Sequence, residues 1–491
     1  MKLNSDFEKN KLDDSNVLSN TRPSIMDSLT QNYTLPKKIW FIGIGGSSMS
    51  SLAEIMKNRG FLVSGSDMQE SHTIEKLQEK GIVCKIGHNK ENIKQETPDI
   101  VIKTDAIFET NPEIVYAKEN NIPIYRRAEL LGYILDGYEK SIGIAGTHGK
   151  TTTTSMITSI FIEAKKDPSA LIGGKMKQLN SSYRVGKNSE CCIFESCEYK
   201  ESYFYFKPFI SIILNIAHDH MEYFKTEENL LASFRQYCDN TKPGGILLLN
   251  YDDKLCQKMV NLRKYDRQIV MFGENGGDMV AKSIKTENGF SSFEAFYKGE
   301  KYADIELSVA GIHNVYNALA AITAAVVYGL DKESIVKGIK AFTGVGRRFE
   351  YHCTVNGAII ADDYAHHPDA YRVTFDTARS LGFKRIIAIH QPHTFSRTKM
   401  LMDDFVDVLS TVDKVLVPPI YPARETNDEY NIYAEDVVKR LPNAEYMPDF
   451  EHIADRVKEL AQPGDIFITL SCGDIYKAAE LITEKYGEKI F

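Results

Sequence analysis

One stretch constrains the fold more than any other. Residues 141–154 read Ser-Ile-Gly-Ile-Ala-Gly-Thr-His-Gly-Lys-Thr-Thr-Thr-Thr. This is a short apolar strand, a glycine-rich turn and the start of a helix. Such a turn aims backbone N–H groups into one concavity, and the helix N-terminus adds partial positive charge. Lys150 would set a full charge against the outer phosphates of a nucleotide, and Thr151 would offer a hydroxyl to Mg²⁺. The strict phosphate-loop spacing puts glycine six residues before the lysine, where this chain has Ile144. The loop is therefore a shortened one, Gly146-Thr147-His148-Gly149-Lys150-Thr151-Thr152. A turn merely capped by threonines would have no need of an ammonium group.

The 491 residues suffice for two to four domains with their own cores, and 43% hydrophobic with 26% charged residues is a globular balance. A net charge of −8 without a long basic run argues against a nucleic-acid groove. The eight cysteines are scattered, and Cys191, Cys192 and Cys197 lack a paired C-x-x-C spacing. This disfavours zinc and suits free thiols in a reducing compartment. The N-terminus has no apolar core, so no signal peptide is expected, and residues 1–36 read as a flexible polar tail. The nearest approach to a membrane span, Val309 to Leu330, is interrupted by His313, Asn314 and Asn317, so no membrane insertion is expected.

The pattern along the chain is α/β throughout. Lys38 to Ile44 is a buried parallel strand feeding Gly43-Ile-Gly45-Gly46-Ser47-Ser48 and a helix to about Arg59. A strand from Phe61 to Gly65 then leads to Asp67, the acid offset of a dinucleotide fingerprint, although Ser48 stands where the third glycine belongs. Strands at 82–86, 100–103 and 122–125 continue the alternation. After the phosphate loop, strands are expected at 191–195, 209–215, 245–250 and 268–272, an antiparallel edge at 289–308, and an Ala-rich helix at 311–328. From Arg347 onward, strands at 358–362, 385–390, 414–418 and 465–470 alternate with helices such as 368–380 and 398–410. The fold class is α/β in three domains, divided as a 1–36 tail, 37–136, 137–345 and 346–491.

Several strand ends carry chemistry. Glu195 ends an apolar strand, where a parallel sheet places ligands and where a carboxylate could hold Mg²⁺; a helix-cap or exposed strand-end acid is the plainer alternative. His218-Asp219-His220-Met-Glu222 follows another, and spacing alone does not choose between the imidazoles as cation ligands. His313-Asn314-x-x-Asn317 opens a helix, where Asn amides can read a base edge and Asn314 can equally cap. Arg347-Arg348, Asp362-Asp363-Tyr364-Ala-His366-His367-Pro368 and Gln391-Pro-His393-Thr-Phe-Ser-Arg397 bring cations and imidazoles to one edge of the last domain. Arginines beside a phosphate loop neutralise charge that grows in phosphoryl transfer.

Taken in order, these blocks resemble the Mur ligases of peptidoglycan synthesis, in particular the branch that adds L-alanine to UDP-N-acetylmuramate. The matching segments also include Tyr125-Arg-Arg-Ala-Glu-Leu130, Gly311-Ile-His-Asn-Val-Tyr-Asn317 and Gly473-Asp-Ile475, and together they span about residues 38 to 480. Departures are Ser48, Ser-Cys-Glu-Tyr after Glu195, Glu222 in place of Asp, and Ser471-Cys472 before Gly473. The resemblance implies an N-terminal Rossmann-like UDP-sugar domain, a central P-loop ATPase-like domain and a mobile C-terminal Rossmann-like domain. It implies that Gly45, Gly46, Ser47 and Asp67 meet the UDP-sugar, and that Gly146 to Thr152 with Arg348 meet the ATP phosphates. His313, Asn314 and Asn317 would meet the adenine and Asp363 the ribose. Thr151, Glu195 and His220 would hold Mg²⁺ or Mn²⁺, and Tyr364, His366 and Arg397 would surround L-alanine, with Lys150, His366 and Arg397 as catalytic candidates.

The implied reaction is ATP-driven amide formation. A carboxylate repels an amine, and phosphorylation turns it into an acyl phosphate that the amine can attack. The implied setting is the bacterial cytoplasm, and a monomer and a homodimer are both open. Three other readings compete. One is a ligase adding a different amino acid or peptide to the same sugar nucleotide. Another is an NAD-dependent oxidoreductase built on the loop at Gly43, which leaves the second phosphate loop unexplained. The third is a non-catalytic nucleotide sensor, against which Lys150, Glu195, His220 and Arg397 all stand.

Overall fold

The computed structural model describes residues 24–30, 37–262, 264–423 and 425–489, without the side chains of Asp27, Thr30, Ser47 and Glu222. The chain divides into two compact units. The first is built mainly from residues up to 154 and 181–277, and the second mainly from residues 278 onward.

In the first unit, strands Lys38–Ile42, Leu62–Asp67, Val83–Ile86, Ile100–Lys103 and Ile124–Arg126 form a five-stranded sheet, parallel at every pairing. The first strand lies between the second and the fourth, so the strand order reverses beside it. Ligands of open α/β sheets bind at such a reversal, outside the carboxyl ends of the strands. The glycine loop after Ile42 leaves the sheet there. Ile39, Trp40, Phe41 and Ile42 are wholly buried, as a strand covered on both faces requires.

The segment expected to be an irregular tail is corrected in part. Ile25–Thr30 is helical, Leu29 is buried, and Ser28 Oγ pairs with the Tyr125 hydroxyl at 2.5 Å. An apolar Ile-Met-x-x-Leu spacing gives this short helix something to bury. The rest of that reading, residues 1–23 and 31–36, lies outside the described residues.

The same unit holds the phosphate-loop strand Lys140–Ala145, flanked in parallel by Ile210–Ile213 and Cys191–Glu195. Ile246–Asn250 and Gln268–Gly273 extend the sheet on one side, and Ser169–Met176 joins Cys191–Glu195 on the other. In the second unit, Met279–Glu287, Phe290–Tyr297 and Glu300–Ala310 form an antiparallel meander, so the expected edge at 289–308 is two strands of three. Helices His313–Tyr328 and Lys332–Ala341 follow. The last sheet orders its strands Glu350–Val355, Ala358–Asp363, Asp465–Leu470, Arg385–His390, Lys414–Val417 and Ala444–Tyr446, with only the first antiparallel to its neighbour. Pro368–Ser380 is one helix. The helix expected at 398–410 is instead two, Phe395–Met400 and Met402–Leu409, because Leu401 at φ −107° leaves the helical region and ends one while starting the other.

Candidate functional site

The phosphate loop is held open by the neighbouring strand end. Gly146 sits at φ +132° and Gly149 at +86°, both in the region that favours glycine. A Cβ on Gly146 would stand 3.1 Å from the backbone N and O of Asn215. Asn215 is the brace. Its backbone O accepts from Thr147 N at 3.1 Å, its Oδ1 accepts from His148 N at 2.8 Å, and its Nδ2 donates to His148 O at 3.1 Å. Thr147 Oγ1 accepts from Ala217 N at 2.9 Å. Helix Lys150–Glu163 then begins at the lysine, with Thr151 only 5% exposed on its first turn.

Lys150 Nζ donates to Gly146 O at 2.5 Å, to Thr147 O at 3.2 Å and to both carboxylate oxygens of Glu198, at 2.9 and 3.1 Å. Burial is the largest single influence and opposes the ammonium form, but the charge and hydrogen bond of Glu198, with Cys197 and Glu195 beside it, together raise the lysine's pKa. Nothing in the sequence marks Glu198. It lies just before a 3₁₀ segment, Tyr199–Tyr205, in which Lys200 and Glu201 take left-handed φ values of 49° and 54°.

Glu195 ends its strand beside Gly173, whose N–H it accepts. The two imidazoles left open by the sequence have different surroundings. His218 is 58% exposed and bonds Glu227 at 2.9 Å. His220 is 21% exposed, adopts φ +56°, and its ring lies 4.8 Å from that of Tyr199. Among the described residues, no group of three or more His, Cys, Asp or Glu could hold a metal ion. A hydroxyl and a carboxylate suit Mg²⁺, which takes oxygen ligands, keeps several waters and relies on substrate phosphates in place of an all-protein cage.

At the sheet reversal, Gly45 N–H donates to Asp67 Oδ2 at 2.9 Å, so Asp67 shapes the glycine loop. Gly46 precedes helix Ser47–Asn58, and the Ser47 side chain lies outside those described. Ser48, at the absent-glycine position, has a use: its hydroxyl accepts from Arg127 Nη1 at 3.1 Å. Arg127 is a residue that the sequence reading quoted but gave no part.

The second unit collects the remaining candidates. Asn314 does not cap its helix, contrary to one expectation. The cap position is Ile312, while Asn314 Nδ2 donates to Ala310 O at 2.7 Å and Asn314 Oδ1 accepts from Asn317 Nδ2 at 2.9 Å. Both amides are 6% exposed, and His313 before them is exposed. The arginine pair splits in use. Arg347 donates to Asp362 Oδ2 at 2.9 Å, Ser471 O at 2.7 Å and Gly473 O at 3.2 Å, which makes it a structural tie. Arg348 lies 4.7 Å over the Tyr364 ring. Asp363 accepts from Phe349 N and Ala365 N, each at 2.8 Å, and burial raises its pKa despite the Arg348 charge.

His366 Nδ1 pairs with Tyr364 O at 2.9 Å, and its ring faces Tyr364 at 5.6 Å and His393 at 6.4 Å. Burial and the Arg397 charge hold His393 down to about 4, so it is neutral at physiological pH. His367 caps helix Pro368–Ser380, with Pro368 in its first turn. Arg397 sits in the short helix capped by Thr394. The structure thus gathers Lys150, the loop residues, Glu195 and His220 in one unit, and Asn314, Asn317, Arg348, Asp363, Tyr364, His366 and Arg397 in the other.

Three family models match in succession: the Mur ligase family catalytic domain over residues 38–139, the Mur ligase middle domain over 144–325, and the Mur ligase glutamate ligase domain over 347–473. The chain belongs to the Mur ligase family. Among the curated relatives of this Mur ligase, the UDP-N-acetylmuramate–L-alanine ligase of Clostridium acetobutylicum is 42% identical over 455 residues, covering 92% of this chain and 98% of that one. The enzyme of the same name from Caldicellulosiruptor saccharolyticus is 43% identical, covering 91% and 98%. The crystal structure of a UDP-N-acetylmuramate–alanine ligase from Thermotoga maritima superposes with a TM-score of 0.77 at 28% identity, covering 91% of this chain and 99% of that one. A murein peptide ligase from Psychrobacter arcticus shares the fold of this Mur ligase, with a TM-score of 0.71 at 22% identity. No helix among the described residues is long and apolar enough to cross a membrane.

Proposed function

We propose that this Mur ligase joins L-alanine to the lactyl carboxylate of UDP-N-acetylmuramate, driven by ATP. The observation that carries the reading is identity of about two residues in five, across nearly the full length, to enzymes named for that reaction. The braced phosphate loop supports ATP as the driving substrate, since Asn215 holds its backbone from the neighbouring strand end.

The lactyl carboxylate attacks the γ-phosphorus of ATP, forming an acyl phosphate and releasing ADP. Lys150 and the loop from Gly146 to Thr152 carry the phosphate charge, with the N–H groups of Thr147 and His148 committed to Asn215 and Arg348 on the transferring group. The L-alanine amine then attacks the acyl carbon, and the tetrahedral intermediate expels inorganic phosphate to leave the amide. Arg397 binds the alanine carboxylate, with Tyr364 and His366 enclosing the amino acid; His366 would take the amine proton. His313, Asn314 and Asn317 receive the adenine, Asp363 the ribose, and Gly45, Gly46, Ser47 and Asp67 the UDP-sugar. Thr151, Glu195 and His220 would hold Mg²⁺, which supplies charge neutralisation for the phosphates. In this reading the chain is organised as residues 37–136 for the sugar nucleotide, 137–345 for ATP and 346–491 for the amino acid.

The test is ADP release with ATP and UDP-N-acetylmuramate, supplied in turn with L-alanine, glycine and L-serine. Turnover should be greatest with L-alanine. Equal turnover with a larger amino acid, or none without a peptide, would move the chain to another Mur ligase substrate class.

A further inference from the structure

The ammonium of Lys150 is saturated before any phosphate arrives. It has three hydrogens and no acceptor capacity. Two carbonyls of its own loop and the Glu198 carboxylate take them, and the two side chains are 17% and 5% exposed. The carbonyls are part of the loop and stay with it. For the lysine to grip a phosphate oxygen, Glu198 is the partner that gives way.

Glu198 cannot go far. Upstream, Ser196 N donates to Ile144 O at 2.8 Å, and Ser196 Oγ accepts from the Tyr237 hydroxyl at 3.0 Å. Downstream, Lys200 and Glu201 hold left-handed φ values and Glu201 N donates to Glu198 O at 2.9 Å. With the backbone pinned on both sides, a displaced carboxylate remains close to the incoming phosphates. Two like charges in a half-enclosed place repel by an amount that is large against thermal energy.

We infer that Glu198 is the internal counter-anion of Lys150 in the phosphate loop, and that it makes nucleotide binding depend on a divalent cation carried with the nucleotide. This rests on the reading of Lys150 as the phosphate lysine. A cation-bearing triphosphate has less charge to set against Glu198, whereas a bare triphosphate or free phosphate must expel it unaided. Glu198 is thus a positioning residue that aims Lys150 and rejects metal-free anions.

Isothermal titration of the full chain with ATP, in EDTA and in excess Mg²⁺, tests this on wild type, Glu198→Gln, Glu198→Ala and Lys150→Ala. Glu198→Gln should bind metal-free ATP about tenfold tighter than wild type, and Mg²⁺-ATP by less than about threefold, since one unit of repulsion is lost. No gain for metal-free ATP overturns the inference. If circular dichroism finds both Glu198 variants unfolded, the pair is structural and the inference is also overturned. Unchanged binding in Lys150→Ala would instead sink the phosphate-lysine reading, while loss there with no gain in Glu198→Gln sinks the inference alone.

Discussion

At the scale of the residue, the two imidazoles after strand Ile210–Ile213 make the sharpest contrast. His218 is outward and already bonded to Glu227, whereas His220 is half-enclosed and oriented by Tyr199 and a left-handed backbone. A ligand pre-oriented by its surroundings loses more when removed, commonly an order of magnitude or more in metal affinity. His220→Ala should therefore raise the Mg²⁺ concentration for half-maximal activity about tenfold, and His218→Ala by less than about twofold. A Mg²⁺ titration of both variants checks this; the opposite ranking would reassign the ligand. Arg397 belongs to the same scale. Losing a charge-assisted bond to a carboxylate costs about 2 kcal/mol, so Arg397→Ala should raise the KM for L-alanine roughly thirtyfold and leave the KM for ATP near its starting value. Steady-state kinetics with each substrate varied decides it, and an unchanged alanine KM removes Arg397 from that pocket.

At the scale of the element, the phosphate loop depends on the strand beside it. Gly146 has a backbone conformation suited to glycine, and a methyl group there would stand only 3.1 Å from Asn215 and Leu214, tighter than ordinary contact. Gly146→Ala should therefore cost about 1–3 kcal/mol in stability from backbone strain and weaken Mg²⁺-ATP binding, because the strained turn shifts Thr147 and His148 off the Asn215 brace. Denaturant unfolding and titration calorimetry read the two effects, and an alanine variant with both unchanged would mean that the loop does not need its shape. The glycine pattern and the flanking apolar run made this element legible in the sequence. Asn215 ends the strand expected at 209–215, yet its bracing side chain is not legible in the sequence, because the partner lies 67 residues away.

Elements without a clean period were the ones not read. Ser169–Met176 carries two glycines and an uneven burial pattern, and Ser181–Arg184 is half-buried at every position, so neither alternates. The break at Leu401 falls in a stretch from Phe395 to Leu409 that holds neither glycine nor proline, the usual marks of a helix end. Glu198 was hidden for a related reason. Its neighbours Lys200 and Glu201 adopt φ values that polar, unbranched residues do not announce, and a lone acid beside other charges reads as a solvated one. Asp363, Tyr364, His366 and Arg397 were legible because they end or follow apolar strands, which fix the edge of the sheet where the polar residues gather. What Arg347 and Arg348 do separately was not, since adjacent arginines look alike until one is seen tied to Asp362 and two carbonyls.

At the scale of the whole molecule, the second unit carries histidines that make its stability depend on acid. The second unit buries His390 in its last sheet at 1% exposure, against Tyr371 and Phe405. The Tyr371 hydroxyl has one proton, and it donates that proton to Leu470 O at 3.2 Å. With that proton directed to Leu470 O, His390 Nδ1, 2.7 Å from the same hydroxyl, is the N–H that donates to it, which leaves Nε2 deprotonated and, among the described residues, without a hydrogen-bond partner. Burial accordingly pushes its pKa down to about 3. A depressed histidine gives stability that is complete above the unfolded value near 6.5 and lost as pH falls toward the folded one, because the unfolded chain takes up the proton first. His393, held down to about 4, adds in the same direction. Between pH 6 and 4 each should cost the second unit about 1 kcal/mol per pH unit, a limit reached only where the unfolded form is fully protonated and the folded form is not. Calorimetry at pH 7.5, 6 and 5 should therefore find the transition of the second unit falling on acidification. His390→Gln, which cannot take up a proton, should flatten that fall by close to half while lowering stability at pH 7.5 through lost packing. Equal pH dependence in wild type and variant would mean that the acid response is set by other groups, with His390 contributing only to the core.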